Sequence, residues 1–202
     1  MKKVENLREL LVESEEKFAD RTAFILKNET GGIFNITYSR LKAEAEHLGT
    51  ALIYELGLKG KKIGITGENS YQWCLSYLSV TGGGGVAVPL DKELTAEEIG
   101  NIISFAGIEC IICDARSAMK IMEEKYITDR KVVIICTEKI SGTVFFDDLI
   151  RIGKSYMSEG KNDYFTAPVE KDKMAVLIFT SGTTGMAKGV MLSHKNLISD
   201  LM

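Results

Sequence analysis

The chain has 202 residues, 45% of them hydrophobic, which is enough to bury a sizeable core in one domain or slightly more. Its formal charge of −3 lacks the basic surplus of a typical nucleic-acid-binding module, so nucleic acid is not an expected partner. Mean hydropathy is +0.03, and the longest apolar-looking stretch, residues 73–90, is cut by four consecutive glycines, so no transmembrane segment is expected.

The start, Met1-Lys2-Lys3-Val4-Glu5-Asn6, leads into no signal-type apolar region, which suits a cytoplasmic protein. Residues 6–18 predict an amphipathic helix carrying Leu7, Leu10, Leu11 and Phe18. Residues 22–26 and 33–37 predict two strands, joined into a hairpin by Asn28-Glu29-Thr30-Gly31-Gly32. Residues 39–55 predict a helix with Leu41, Ala45, Leu48, Leu52 and Leu56 along one face. The opposite face carries Arg40, Lys42, Glu44 and Glu46, and His47 is placed on that solvated side without a role. Gly57 and Gly60 stop the helix.

The pattern then alternates. Strands are expected at residues 62–66, 86–90, 109–113 and 132–136. Helices are expected after Asn69 or Ser70 as N-cap, over residues 95–105 from the capping box Thr95-Ala96-Glu97-Glu98, and over 115–124. Strands separated by helices of this length pair in parallel through right-handed crossovers. The fold class is therefore α/β, a layered domain with a mainly parallel sheet flanked by helices. Residues 82–85, all glycine, are read either as a ligand-facing loop or as close packing of a helix end on a strand; packing is the preferred reading. Residues 141–171 lose periodicity. Phe145, Phe146, Leu149 and Ile150 mark a short helical stretch, and the polar run 154–163 reads as a surface connection and a subdomain boundary. The expected division is 1–171 and 172–202.

The four cysteines offer one tempting spacing, Cys110-Ile111-Ile112-Cys113. Positions three apart on a strand face opposite sides, a poor metal or redox geometry, so buried apolar roles are expected. With only His47 and His194 as histidines, a zinc site has little material.

The chemistry concentrates at the end of the chain. An apolar strand-like run, residues 176–179, enters Thr180-Ser181-Gly182-Thr183-Thr184-Gly185-Met186-Ala187-Lys188-Gly189, and a second apolar run follows. Glycines permit close backbone approach, so successive N–H groups can converge on one anion, while hydroxyls and Lys188 add donors and charge. The alternatives are a polyphosphate-gripping loop and a plain hairpin turn; the density of hydroxyls, glycines and a lysine favours phosphate. The common P-loop does not fit. Ala187 stands where its second glycine belongs, Gly189 follows the lysine, and strand rather than helix comes next.

Thr180-Ser181-Gly182-Thr183-Thr184-Gly185-x-x-Lys188-Gly189 resembles the phosphate loop of the adenylate-forming superfamily, which includes acyl-CoA synthetases, luciferases and peptide-synthetase adenylation domains. Ser193-His194-Lys195-Asn196-Leu197, Thr37-Tyr38-Ser39-x-Leu41 and Val86-Ala87-Val88-Pro89-Leu90-Asp91 resemble further motifs of that family. The resemblance runs from about Thr22 to the end; Ala187 replaces the usual proline. It implies an AMP-forming acid–thiol ligase. A small carboxylic acid is activated by ATP with Mg2+ as an acyl-adenylate, then passed to coenzyme A. Thr180, Ser181, Gly182, Thr183, Thr184, Gly185 and Lys188 would wrap the phosphates. Thr184 and Lys188 would stabilise developing charge, and Thr184 would face the metal. His194 is placed either near the acyl end of the substrate or packed against the sheet. The run Met186 to His194 is more similar to fatty acyl-CoA synthetases than to peptide synthetases, with aryl or amino acids as alternatives. Phe179, Met186 and Met191 give the loop an apolar flank, read as core. The later acidic motif, ribose-binding aspartate and C-terminal lysine of the family are not in this sequence, so the resemblance implies an N-terminal fragment, inactive alone. The competing readings are a non-catalytic nucleotide or acyl-adenylate binding module and, disfavoured by Ala187 and Gly189, a phosphate-loop NTPase.

Overall fold

The computed structural model describes residues 4–28, 30–122, 124–180 and 188–201. The chain opens with α1 (Leu7–Phe18) and an antiparallel hairpin, β1 (Thr22–Lys27) and β2 (Ile33–Thr37). Then come α2 (Tyr38–Tyr54), β3 (Lys62–Ile65), α3 (Tyr71–Gly82), β4 (Val86–Pro89), α4 (Ala96–Ala106), β5 (Cys110–Cys113), α5 (Ala115–Ile121), α6 (Lys125–Arg130) and β6 (Val133–Cys136). β7 (Val144–Phe145), α7 (Phe146–Ser158), α8 (Asp163–Thr166), β8 (Met174–Thr180), β9 (Lys188–Ser193) and α9 (His194–Leu201) complete it.

β3 to β9 form one sheet in the order β7-β6-β5-β3-β4-β8-β9, parallel throughout except for the β8–β9 pair. Strands buried on both faces read as unbroken apolar runs, and β5 shows why. Cys110 and Ile112 enter the core under α2, α3 and α7, with Leu48, Leu75 and Leu149. Ile111 and Cys113 enter the core under α4, α5 and α6, with Ile103, Ile121 and Ile127. The two cysteines of the C-x-x-C spacing thus occupy opposite faces, all four cysteines are free, and burial pushes the Cys110 thiol up, as small apolar residues should behave.

Local signals fix the helix starts. The side chains of Asn6, Thr37, Ser70, Thr95 and Asp114 each accept a backbone N–H in the first turn of the helix that follows. A cap of this kind contributes about 1 kcal/mol. The capping box at Thr95 and Glu98 is present in both directions. Gly107, at φ 68°, ends α4 in the left-handed region that a side chain would disfavour.

The structure differs from expectation in several places. The helix expected to run to residue 124 ends at Ile121, and α6 follows separately; it closes at Lys131, whose backbone at φ 53° donates to the carbonyls of Ile127 and Thr128. The run taken as a surface connection is helical as far as Ser158, because α7 extends through it and packs on α2. Just beyond, Tyr164 is buried to 1% exposure against Gly49, Gly82 and Gly83, where a Cβ would collide with its ring or hydroxyl. His47 is half-buried rather than solvated, because Gly153 of α7 lies on its backbone carbonyl; burial lowers its pKa. Glu46 is also buried, paired with Lys42 at 2.9 Å. The glycine run is close packing: beside the contacts with Tyr164, a Cβ on Gly85 would meet the carbonyls of Val80 and Lys61. Among the described residues no helix is long and apolar enough to cross a membrane.

Candidate functional site

β8 lies parallel to β4, meeting it at Ala87 opposite Val176, so its C-terminal end shares an edge with the carboxyl ends of β3, β4, β5 and β6. In open α/β sheets that edge is where ligands bind. β9 returns antiparallel, in the register Ile178 to Val190, Phe179 to Gly189 and Thr180 to Lys188. Directly opposed residues of such a pair point to the same face, with Cα atoms about 4.5–5.5 Å apart. The last register pair is therefore an exposed threonine beside an exposed lysine, at the mouth of the connecting loop. Ser181, Gly182, Thr183, Thr184, Gly185, Met186 and Ala187 lie outside the described residues.

Alternation gives the hairpin two unlike faces. Val176 and Ile178 turn to the core beneath α2, α3 and α7, and Thr180 and Lys188 project on that side. Leu177 and Phe179 turn to the other core, and Phe179 packs edge-on against Phe105 of α4, with ring centroids 6.2 Å apart. Gly189 makes this possible, since a Cβ there would come within 3.1 Å of Leu177. Met191 pairs with Leu177 but lies on the outermost of the described strands. It is 70% exposed, and Phe105 is 76% exposed. The expectation that Met191 is core is thereby corrected: among the described residues β9 is the outermost strand of the sheet, and Met191 on it is exposed.

His194 opens α9 directly after β9 and is 2% exposed. Its Nδ1 accepts the backbone N–H of Leu7 at 3.5 Å, across 187 residues of sequence. Burial, helped by the charge of Arg8, lowers its pKa to about 4, so the ring is neutral near pH 7. Ser193 caps α9: its Oγ accepts the Asn196 N–H at 3.2 Å, while Asn196 Oδ1 accepts the Ser193 N–H and O–H.

Two openings lie elsewhere. A crevice between the carboxyl ends of β3 and β5 is bordered by Thr66, Gly67, Ser70, Trp73, Asp114 and Thr137. Its cavity volume of about 20 Å³ suits a water molecule, not a nucleotide. The Thr66 hydroxyl on its border is buried and has no hydrogen-bond partner among the described residues. A larger groove of about 530 Å³ runs between β2, the start of α2 and the start of α7. Phe34, Ile36, Phe145 and Phe146 line it, and its rim charges pair with one another, Arg40 with Glu44 and Arg151 with Asp148. Thr180, Lys188 and His194 border neither opening.

Sequence reasoning missed Arg8. From α1 its Nε donates to Gly82 O at 2.5 Å, and its Nη1 donates to Phe165 O at 2.8 Å and Ala167 O at 2.9 Å. One side chain thus ties α1 to the end of α3 and to the segment feeding β8. A single arginine on an amphipathic helix carries no signal for this.

The sheet order defines an α/β domain in which β8 and β9 join at the carboxyl edge of the sheet. The chain belongs to the AMP-binding enzyme family, whose pattern matches residues 11–202. It is similar to long-chain-fatty-acid–CoA ligase 5 of Rattus norvegicus, 33% identical over 183 residues covering 82% of this chain and 26% of that protein. It is also similar to the D-alanine–D-alanyl carrier protein ligase of Streptococcus pneumoniae, 31% identical over 164 residues covering 81% of this chain and 28% of that protein. The crystal structure of a fatty acyl-adenylate ligase from L. pneumophila, in complex with acyl adenylate and pyrophosphate, shares the fold. Its TM-score is 0.75 at 18% identity, over 98% of this chain and 32% of that one. The chain spans only about a quarter to a third of the length of these proteins.

Proposed function

We propose that this chain supplies the phosphate-loop half of an ATP-dependent acid–thiol ligase. The observation that carries the reading is the Thr180–Lys188 pair closing a hairpin at the carboxyl edge of the sheet, in a chain of the AMP-binding enzyme family. Residues 1–171 are the platform and 172–202 the working hairpin.

In the first step an oxygen of the substrate carboxylate attacks the α-phosphorus of ATP. The bond to the bridging oxygen breaks, pyrophosphate leaves, and a mixed acyl–phosphate anhydride remains. Negative charge grows on the α-phosphoryl oxygens and the leaving group. Lys188 offsets it there, and the hydroxyls and backbone N–H groups of Thr180, Ser181, Gly182, Thr183, Thr184 and Gly185 grip the β- and γ-phosphates. The hydroxyl of Thr184 would help to hold Mg2+, which when bound would supply Lewis-acid charge to the phosphates. In the second step a thiol sulfur, that of coenzyme A, attacks the acyl carbon and AMP leaves. The acid is assigned as a fatty acid. The name of the rat relative supports this. The name of the streptococcal relative shows how far acids differ within similar sequences.

ATP–pyrophosphate exchange by the complete gene product, with a panel of fatty, aryl and amino acids, tests the proposal. Exchange that depends on fatty acids is the expected result. ATP binding without exchange for any acid would replace the ligase by a binding module, and hydrolysis of ATP without an acid would replace it by an NTPase.

A further inference from the structure

The hairpin that carries the phosphate loop is fixed at its base from an unexpected source, the first helix of the chain. Among the described residues β9 is the last strand in the sheet, and β8 is its partner there. The tip is open. At the base, however, α1 presents a row of groups to the segments that enter and leave the hairpin. Asn6 Nδ2 donates to Val169 O at 3.3 Å, and Arg8 holds Phe165 O and Ala167 O. The Leu7 N–H, a first-turn donor with no partner inside its own helix, is accepted by His194 Nδ1. Leu7 and Ile198 of α9 share a small apolar cluster with Val4. The backbone of α9 is tied back in turn: His194 N donates to Lys173 O and Lys195 N to Lys171 O, on the approach to β8.

We infer that His194 is a positioning residue that caps α1 and thereby fixes the phosphate-loop hairpin, so that Thr180 and Lys188 meet the nucleotide in a set orientation. The chemistry asks for an acceptor at one place. A neutral imidazole with its proton on Nε2 offers Nδ1 to the Leu7 N–H. Asparagine places its Oδ1 close to the same point, two bonds beyond Cβ, while leucine of similar bulk offers no acceptor. Losing the acceptor leaves a buried N–H unpaired and frees α9 from α1, without touching any residue that would contact ATP. The part of this inference that concerns ATP rests on the ligase reading; the clasp itself does not.

His194→Leu and His194→Asn in the complete gene product test it through two readouts. Amide hydrogen exchange reads the clasp whatever the activity. His194→Leu is expected to speed exchange in β8, β9 and the first turn of α1 by about tenfold or more, as the loss of one buried hydrogen bond implies, while α4 and β5 stay protected and His194→Asn stays near wild type. Steady-state exchange of ATP and pyrophosphate reads the positioning. His194→Leu is expected to raise KM for ATP severalfold more than it lowers kcat, with rescue in His194→Asn. Unchanged amide exchange in His194→Leu overturns the clasp. Faster amide exchange with an unchanged KM for ATP overturns the positioning role. A wild-type protein that shows no acid-dependent exchange defeats the ligase reading, while the amide data still decide the clasp.

Discussion

The base and the tip of the β8–β9 hairpin are built from one short stretch of chain by opposite rules. At the base, Val176 and Leu177 are buried on opposite faces and His194 is sealed against α1. At the tip, Thr180, Lys188, Val190 and Met191 face solvent. A strand pair fixed at one end holds its other end at a defined place without burying it, which is what a group meant to grip a charged ligand requires. The stability of this domain lies in the base and in the platform beneath it, and the groups proposed to grip phosphate lie where they add little to stability.

That division is open to test, beginning with the largest expected effect. Gly153→Ala forces a Cβ onto the His47 carbonyl, a backbone atom that cannot swing aside, and separates α7 from α2. It should cost about 3 kcal/mol or more, seen in urea unfolding. Arg8→Met removes the three donors that join α1 to Gly82, Phe165 and Ala167, and should cost about 2–3 kcal/mol by the same measurement. A loss smaller than that of an ordinary surface substitution would show that α1 is not part of the base.

Acid should weaken the base through His194. Its pKa is about 4 in the folded chain against an ordinary 6.5, lowered by burial and by Arg8, which faces it from α1. The unfolded state therefore takes up the proton first, and stability is expected to fall as pH drops from 6.5 towards 4. His47, also lowered by burial, adds to the same slope, whereas carboxylates held low by hydrogen bonds, such as Asp114, add losses only below about pH 4. In His194→Asn the slope between pH 6.5 and 4 should be shallower, and an unchanged slope would remove His194 from the base. The smallest effect is expected at the tip. Met191→Ser, on the open face, should leave unfolding within about 0.5 kcal/mol of wild type.

What the sequence revealed follows the same line. Periodicity and capping chemistry located β1 to β6 and most helix starts, because an apolar strand run or a Thr-x-x-Glu box acts within a few residues. The cysteine pair on β5 was placed on opposite faces by alternation alone. The features that escaped depend on partners far away in the chain. Tyr164 lies in a polar run, and only the small surfaces of Gly49, Gly82 and Gly83 make a pocket for it. Glu46 and His47 belong to a face that reads as solvated until α7 lies on it. Met191 has a core composition, and only its place on the outermost strand exposes it. At the candidate site the loop motif was legible by residue type, and the structure adds the pairing of Thr180 with Lys188. The role of His194 as a cap for a helix 187 residues away had no local signal.

The most direct test of a working tip on an inert base is Lys188→Ala in the complete gene product, measured for both unfolding and acid-dependent ATP–pyrophosphate exchange. Unfolding should stay within about 0.5 kcal/mol of wild type while exchange falls by about 10²- to 10³-fold, the cost of removing one charge-stabilising group. Unchanged exchange would contradict the assignment of the loop to ATP, and a large loss of stability would contradict the separation of tip from base.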